Sequence, residues 1–177
     1  MRGLSFIADG EFFTADVNLV QKVARNLTVT PVLTAPESVV GIANIKGRVV
    51  TILSLAALLA RNTGQDKQEK IEKIEKKVHT VNAIIFKPFT DGDDQMGLLI
   101  EKPGDLIDIS DDKIMPLSVK PSAGNGAEAQ FCLSGMTEVG GELYRIVNID
   151  SIINRFKYGG EYHADKTILT GGFDYES

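Results

Sequence analysis

Apolar positions recur in two blocks that align without a gap, Gly41-IANIKGRVVTILSLAAL-Leu59 and Gly135-MTEVGGELYRIVNIDSI-Ile153, lying 94 positions apart. The blocks agree in apolar character or glycine at Gly41/Gly135, Ile45/Val139, Gly47/Gly141, Val49/Leu143, Ile52/Ile146, Leu53/Val147, Leu55/Ile149, Leu58/Ile152 and Leu59/Ile153. Their polar residues differ, so the pattern repeats a folding unit rather than a chemical site. Each block predicts an apolar strand, a turn at Lys46-Gly47 or Gly140-Gly141, a β-branched strand and an apolar-rich segment of helical spacing. A unit of this size cannot bury both its faces alone, which predicts two small, similar β-barrels or sheets packed together.

The remaining pattern fills in around the blocks. Leu4-SFIA and EFFTADV flank Asp9-Gly10, and Asp-Gly between β-favouring runs predicts a hairpin because Gly tolerates positive φ. Asn18 is placed to cap a short helix from Leu19 to Asn26, with Leu19, Val20 and Val23 on one side, followed by a strand from Leu27 to Leu33. Ser54 is placed to cap a helix from Leu55 to Arg61. Strands are expected at Thr80–Lys87, Met96–Glu101 and Phe131–Met136, with Leu106-IDI continuing the second half. Ser110-Asp111-Asp112-Lys113 has the chemistry of a turn, Pro121 to Gly126 that of a loop, and a helix closes the second block over Asp150–Phe156.

Between the halves the composition changes abruptly. Residues 62–78 carry alternating charges with little to bury besides Ile71 and Ile74, which predicts an exposed connection. The tail over 157–177, with Gly159-Gly160 and Gly171-Gly172, lies beyond the repeated core as a C-terminal extension. A chain of 177 residues, 43% apolar, is a folded protein whose two halves are each small enough to need shared buried surface. The formal charge of -5 argues against nucleic acid, which draws its affinity from clustered Lys and Arg, and the absence of Trp weakens any stacking platform. One cysteine, no apolar leader and no long apolar run predict a cytoplasmic protein that meets membranes only through partners.

Parts for catalysis are missing. His79 and His163 have no neighbouring nucleophile pattern, and no H-E-x-x-H, paired-Cys or phosphate-loop motif occurs, so neither an enzyme nor a cofactor is expected. Asp91-Gly92-Asp93-Asp94 lacks the alternating ligands and distant Glu of a calcium loop and reads as a hairpin turn. Cys132, in Phe131-Cys132-Leu133, reads as a buried, unreactive thiol. Small duplicated β units instead offer edges, grooves and hairpin tips, which suits protein recognition.

Pro36-ESVVGIANIKGRVVTILSLAAL-Leu59 resembles the signature of the CheW-like chemotaxis coupling proteins, P-x-x-V-x-G-V-x-N-L-R-G-x-V-I-P-V-x-D-L. Val20-Gln-Lys-Val23, Gly97-LLIEKPGDLIDIS and Leu133-SGMTEVGGELYRIVNID fall in the family's order, so the resemblance covers roughly residues 3 to 156. It implies a mainly β fold of two intertwined SH3-like five-stranded barrels over 1–156, with short connecting helices and a C-terminal helix. It also implies a non-enzymatic adaptor joining the cytoplasmic tips of methyl-accepting chemoreceptors to the regulatory domain of the histidine kinase CheA. An accessory scaffold in a different two-component or motility pathway is the alternative.

Carried over by position, the resemblance implies a receptor- and kinase-facing surface of Val20, Lys22, Val23, Gly41, Asn44 and Lys46. Each has a structural alternative: backbone geometry for Gly41, a turn hydrogen bond for Asn44, an ordinary solvated cation for Lys46. The chain departs from the pattern where the usual hairpin Arg is Lys46, where an acidic residue is replaced by Lys22, and where the D-L pair is Ser54-Leu55 or Asn148-Ile149. Lys keeps the charge of Arg but loses its planar fork, whereas Lys22 reverses a charge.

Overall fold

Three pairs, Asp9-Gly10, Lys46-Gly47 and Gly140-Gly141, each reverse the chain with both residues at positive φ (49° and 73°, 52° and 82°, 62° and 85°). Two such residues in succession match the right-handed twist of flanking strands, so each pair makes a tight hairpin. The computed structural model describes residues 1–59, 79–88, 95–117 and 129–157. In order these form β1 (Arg2–Ala8), β2 (Glu11–Asp16), β3 (Val20–Val29), β4 (Val39–Ile45), β5 (Arg48–Leu53), α1 (Leu55–Leu59), β6 (His79–Phe86), β7 (Gln95–Ile100), β8 (Lys102–Asp108), β9 (Met115–Pro116), β10 (Leu133–Val139), β11 (Glu142–Val147) and α2 (Ile149–Lys157). None of the described helices is long and apolar enough to cross a membrane. The expected charged connection at 62–78, the 91–94 turn, the 121–126 loop, the end of the first helix and the extension beyond Lys157 lie outside the described residues.

The strands make two sheets, one of five in the order β3-β6-β7-β5-β4 and one of six in the order β8-β1-β2-β11-β10-β9. The five-stranded sheet returns on itself through the bridge between Thr30 and Ile42. In each sheet the strand after the tight turn runs parallel to the second strand of another hairpin, β5 beside β7 and β11 beside β2. The two units therefore share one topology, but the hairpin that follows α1 in the first is supplied to the second by the chain's own start, β1-β2. The sixth strand has a local cause. The counterpart of the long β3 is split into β8 and β9 by the helical turn Asp111–Lys113, and Met115 pairs with Met136 where Thr30 pairs with Ile42.

The 94-residue repeat holds down to single bonds. Both hairpins carry a register shift before the glycine, between Val39 and Gly41 and between Leu133 and Gly135. Ser54 N–H donates to the Ser38 carbonyl at 2.8 Å, and Asn148 N–H donates to the Cys132 carbonyl at 2.7 Å. Ser54 Oγ accepts from Ala57 N–H at 3.2 Å and Asn148 Oδ1 accepts from Ser151 N–H at 3.0 Å, so both helices start on a capping side chain. Hydroxyl and carboxamide are different groups with one effect, satisfying an amide that has no partner inside its helix.

Two clusters of buried side chains explain the strand pattern. Val29, Val40, Ala43, Val50, Ile52, Ala83 and Ile85 fill the five-stranded unit. The larger cluster is shared: Phe6, Phe13 and Ala15 of β1-β2 meet Leu53, Ile84, Phe86 and Leu98 of the other sheet, with Leu55, Ile149, Ile152 and Ile153 of the helices. Strand β6 alternates between the two, which is why NAIIF reads as a continuous apolar run rather than every second residue. The expected sharing of buried surface between halves is what this core provides.

Three local expectations are corrected. Residues from Leu19 to Asn26 are not a helix: Asp16 Oδ1 accepts from Asn18 N–H at 2.8 Å and caps a single helical turn, Val17–Leu19, after which β3 begins. Bulges between Val20 and Lys22 and between Ala24 and Leu27 interrupt the two-residue alternation, and the resulting spacing of Val20 and Val23 imitates a helix face. The next strand ends at Val29 with one further bridge at Thr30, short of Leu33, because Pro31 follows and turns occupy Val32–Ala35 and Pro36–Val39. Finally, Phe131 and Cys132 belong to a helical turn, Ala129–Cys132, and the strand starts at Leu133.

Candidate functional site

Val20, Lys22 and Val23 stand at the start of β3, paired with Phe86, Ile85 and Ile84. Val20 and Val23 are half-buried against the shared core, so much of their apolar surface is already used in holding the two sheets together. Gln21 bulges outward between them and its Oε1 accepts from Nε2 of the buried Gln95, which also donates to the Phe86 carbonyl. That arrangement fixes the backbone that carries Lys22, whose side chain is half-buried.

Gly41, Asn44 and Lys46 lie on the β4-β5 hairpin and have three different roles. Gly41 is buried against the Thr30 bridge; a Cβ there would collide with the Thr30 carbonyl oxygen and lie 2.8 Å from Val29 Cγ1. Its requirement is steric. Asn44 Oδ1 accepts from Gly47 N–H at 2.8 Å, closing the turn from within. Lys46 plays no comparable part in the turn. It is exposed, at φ 52°, where the second hairpin has Gly140. A left-handed conformation costs a side-chain-bearing residue roughly 1–2 kcal/mol, so a long cation is held where glycine would be cheaper. Arg48, across the turn in register with Ile45, adds a second exposed cation.

These six residues fall into two groups. Among the described residues, no strand pairing, hydrogen bond or ion pair joins Val20, Lys22 or Val23 to the hairpin trio. Sequence reasoning missed Arg48, whose position opposite Ile45 and next to the turn follows from the two-residue turn, and the exposed Ile42 and Val49 on the outward face of the same hairpin. The signal was present in the alternation, since Ala43 and Val50 point into the core and their neighbours therefore point out.

Reactive groups are few. Burial pushes the Cys132 thiol up to about 12, with the nearby Arg155 guanidinium opposing, so the thiolate needed for nucleophilic or redox chemistry is suppressed. Among the described residues, no three His, Cys, Asp or Glu side chains gather in a way that could hold a metal ion.

The family model of the CheW-like domain matches residues 2–157. A search of curated proteins finds no match. Among solved structures, the chain is similar to the scaffolding protein TtCheW from Thermoanaerobacter tengcongensis, with a TM-score of 0.60 at 17% sequence identity. That match covers 84% of this chain and 88% of that one. At this identity the likeness concerns the fold alone. With the duplicated hairpins, the N-terminal hairpin inserted into the second unit and a family match over nearly all of the described residues, the chain belongs to the CheW-like domain family.

Proposed function

We propose that this protein is a non-enzymatic cytoplasmic adaptor that couples the cytoplasmic tips of chemoreceptors to the regulatory domain of the histidine kinase CheA. Membership of the CheW-like family supports a scaffolding role in chemotaxis signalling. The observation that carries the more specific reading is Lys46, an exposed cation in a strained turn conformation that its own fold does not need. Asn44 on the same hairpin and Lys22 on the separate β3 surface contribute polar contacts, while Val20, Val23 and Gly41 act mainly by holding the surface in shape. Contacts of this kind are individually weak, and repeated engagement in an assembly supplies the strength.

The test is capture of receptor-tip fragments and of the kinase regulatory domain by the purified protein. Binding to both is expected, with Lys46→Glu weakening receptor capture while the circular dichroism spectrum and melting temperature stay close to those of the parent. Failure to capture either partner rejects the reading. Loss of folding in Lys46→Glu would return the residue to a structural role.

A further inference from the structure

Gln95 is buried, an uncommon place for a carboxamide, and its Nε2 has an acceptor for each of its two hydrogens: the Phe86 carbonyl at 3.0 Å and Oε1 of the exposed Gln21. Gln21 is the extra residue of the first bulge in β3, where Val20 pairs with Phe86 and the next paired residue, Lys22, with Ile85. Opposed residues share a face of a sheet, so the bulge decides which way Lys22 faces. Val20 and Val23 stand opposite Phe86 and Ile84 on the side of the shared core, and Lys22 stands opposite Ile85 on the other side. Unbulged pairing counted from Val20 would set Gln21 opposite Ile85 and Lys22 opposite Ile84, carrying an ammonium to the shared core and Val23 away from it. Among the described residues, no hydrogen bond or ion pair engages the half-buried Lys22 side chain.

From this we infer that Gln95 is the positioning residue of the β3 surface: by tying Gln21 to the Phe86 carbonyl it holds the bulge, and the bulge presents Lys22 to a carboxylate of the bound partner. Gln95 acts through Gln21 and the backbone of β3, not by meeting the partner itself. A cation partly withdrawn from water and unpaired in its own fold is complementary to an incoming anionic side chain and repels a cationic one. Which partner arrives rests on the adaptor reading, whereas the bulge and its tie do not.

Amide hydrogen exchange of the full chain, read residue by residue by NMR, tests the tie with no receptor or kinase present. Gln95→Met keeps the length of the side chain and removes its donors; exchange across residues 20–24 should become about tenfold faster or more, while residues 27–29 of the same strand stay as in the parent. Gln21→Ala removes the exposed end of the same tie without touching buried packing and should act in the same direction. Capture of a receptor-tip fragment then reads the presentation of Lys22. Lys22→Glu and Gln95→Met should each lower affinity about tenfold, Lys22→Arg should keep it, and the double variant Q95M/K22E should lose no more than Lys22→Glu alone, because one residue acts through the other. Unchanged exchange across residues 20–24 in both Gln95→Met and Gln21→Ala, capture that survives Lys22→Glu, or additive losses in the double variant would each overturn the inference. A parent that captures neither partner would overturn the carboxylate contact together with the adaptor reading, whereas unchanged exchange overturns the tie alone, so the two failures are distinct.

Discussion

Lys46 and Gly140 occupy the same position of the same two-residue turn in the two halves of the chain, with φ of 52° and 62°. One half uses the residue type the turn favours and the other does not. Replacing Lys46 by Gly should therefore stabilise the fold by about 0.5–1 kcal/mol, the left-handed strain removed less the entropy glycine adds to the unfolded chain. Chemical denaturation measures the gain. If the proposed adaptor role is right, the same variant loses receptor capture, and a substitution that strengthens the fold while weakening binding cannot be explained by unfolding.

Gly41 and Gly135 mark the same register shift but differ in the room they have. A Cβ at Gly41 meets backbone, colliding with the Thr30 carbonyl that accepts from Ile42 N–H at 2.8 Å. At Gly135 the nearest atoms, Ile114 Cγ2 and the Met115 carbonyl oxygen, are both 2.9 Å away, so the overlap to be relieved is smaller than at Gly41. Gly41→Ala is expected to cost about 3 kcal/mol and Gly135→Ala about half that. Equal losses in urea denaturation would show that the barrel closure at Thr30 matters less than this geometry implies.

How much of this was legible beforehand depended on whether a signal was local. The repeat, the three glycine turns and the Ser54 cap were readable because each is set by residues within a few positions of one another. The six-stranded sheet was not, since nothing near Phe6 or Phe13 announces that β1-β2 will lie between strands more than eighty residues away. Bulges defeated the reading of β3, where a shift at Gln21 and another at Arg25-Asn26 turned a strand's alternation into an apparent helix. Of the six candidate site residues, the sequence pattern placed Gly41, Asn44 and Lys46 on one hairpin, as the structure does. It could not separate Asn44, whose carboxamide closes the turn, from Lys46, which faces solvent.

The interior of the six-stranded unit is more polar than its twin. Thr137 takes the place that Ala43 has in the first unit, and its Oγ1, like that of Thr14, is fully buried with no hydrogen-bond partner among the described residues. A buried hydroxyl without a partner costs roughly 1–3 kcal/mol, while a methyl group in its place costs nothing in hydrogen bonding. Thr137→Val should raise stability by about 1 kcal/mol, and Thr137→Ser, which keeps the hydroxyl and loses the methyl, should lower it by about as much. Thermal melts of the two variants side by side distinguish the hydroxyl from the packing. A destabilised Thr137→Val would mean that the hydroxyl is satisfied in solution.

Cys132 gives the fold an alkaline limit. Burial raises its thiol from an ordinary value of 9.0 to about 12, Arg155 pulling weakly the other way, so the native state holds its proton longer than the unfolded chain does. Below pH 9 both states are protonated and the thiol has no effect on the pH dependence of stability. Between pH 9 and 12 the unfolded chain ionises first and binds fewer protons, so stability falls as pH rises through that window. Cys132→Ala should flatten this part of the stability profile while costing a small, pH-independent amount for the lost sulfur. The same burial predicts that a thiol reagent at pH 8 modifies the native protein far more slowly than the protein unfolded in urea. Rapid native labelling, or an alkaline slope unchanged in Cys132→Ala, would place the loss of stability elsewhere.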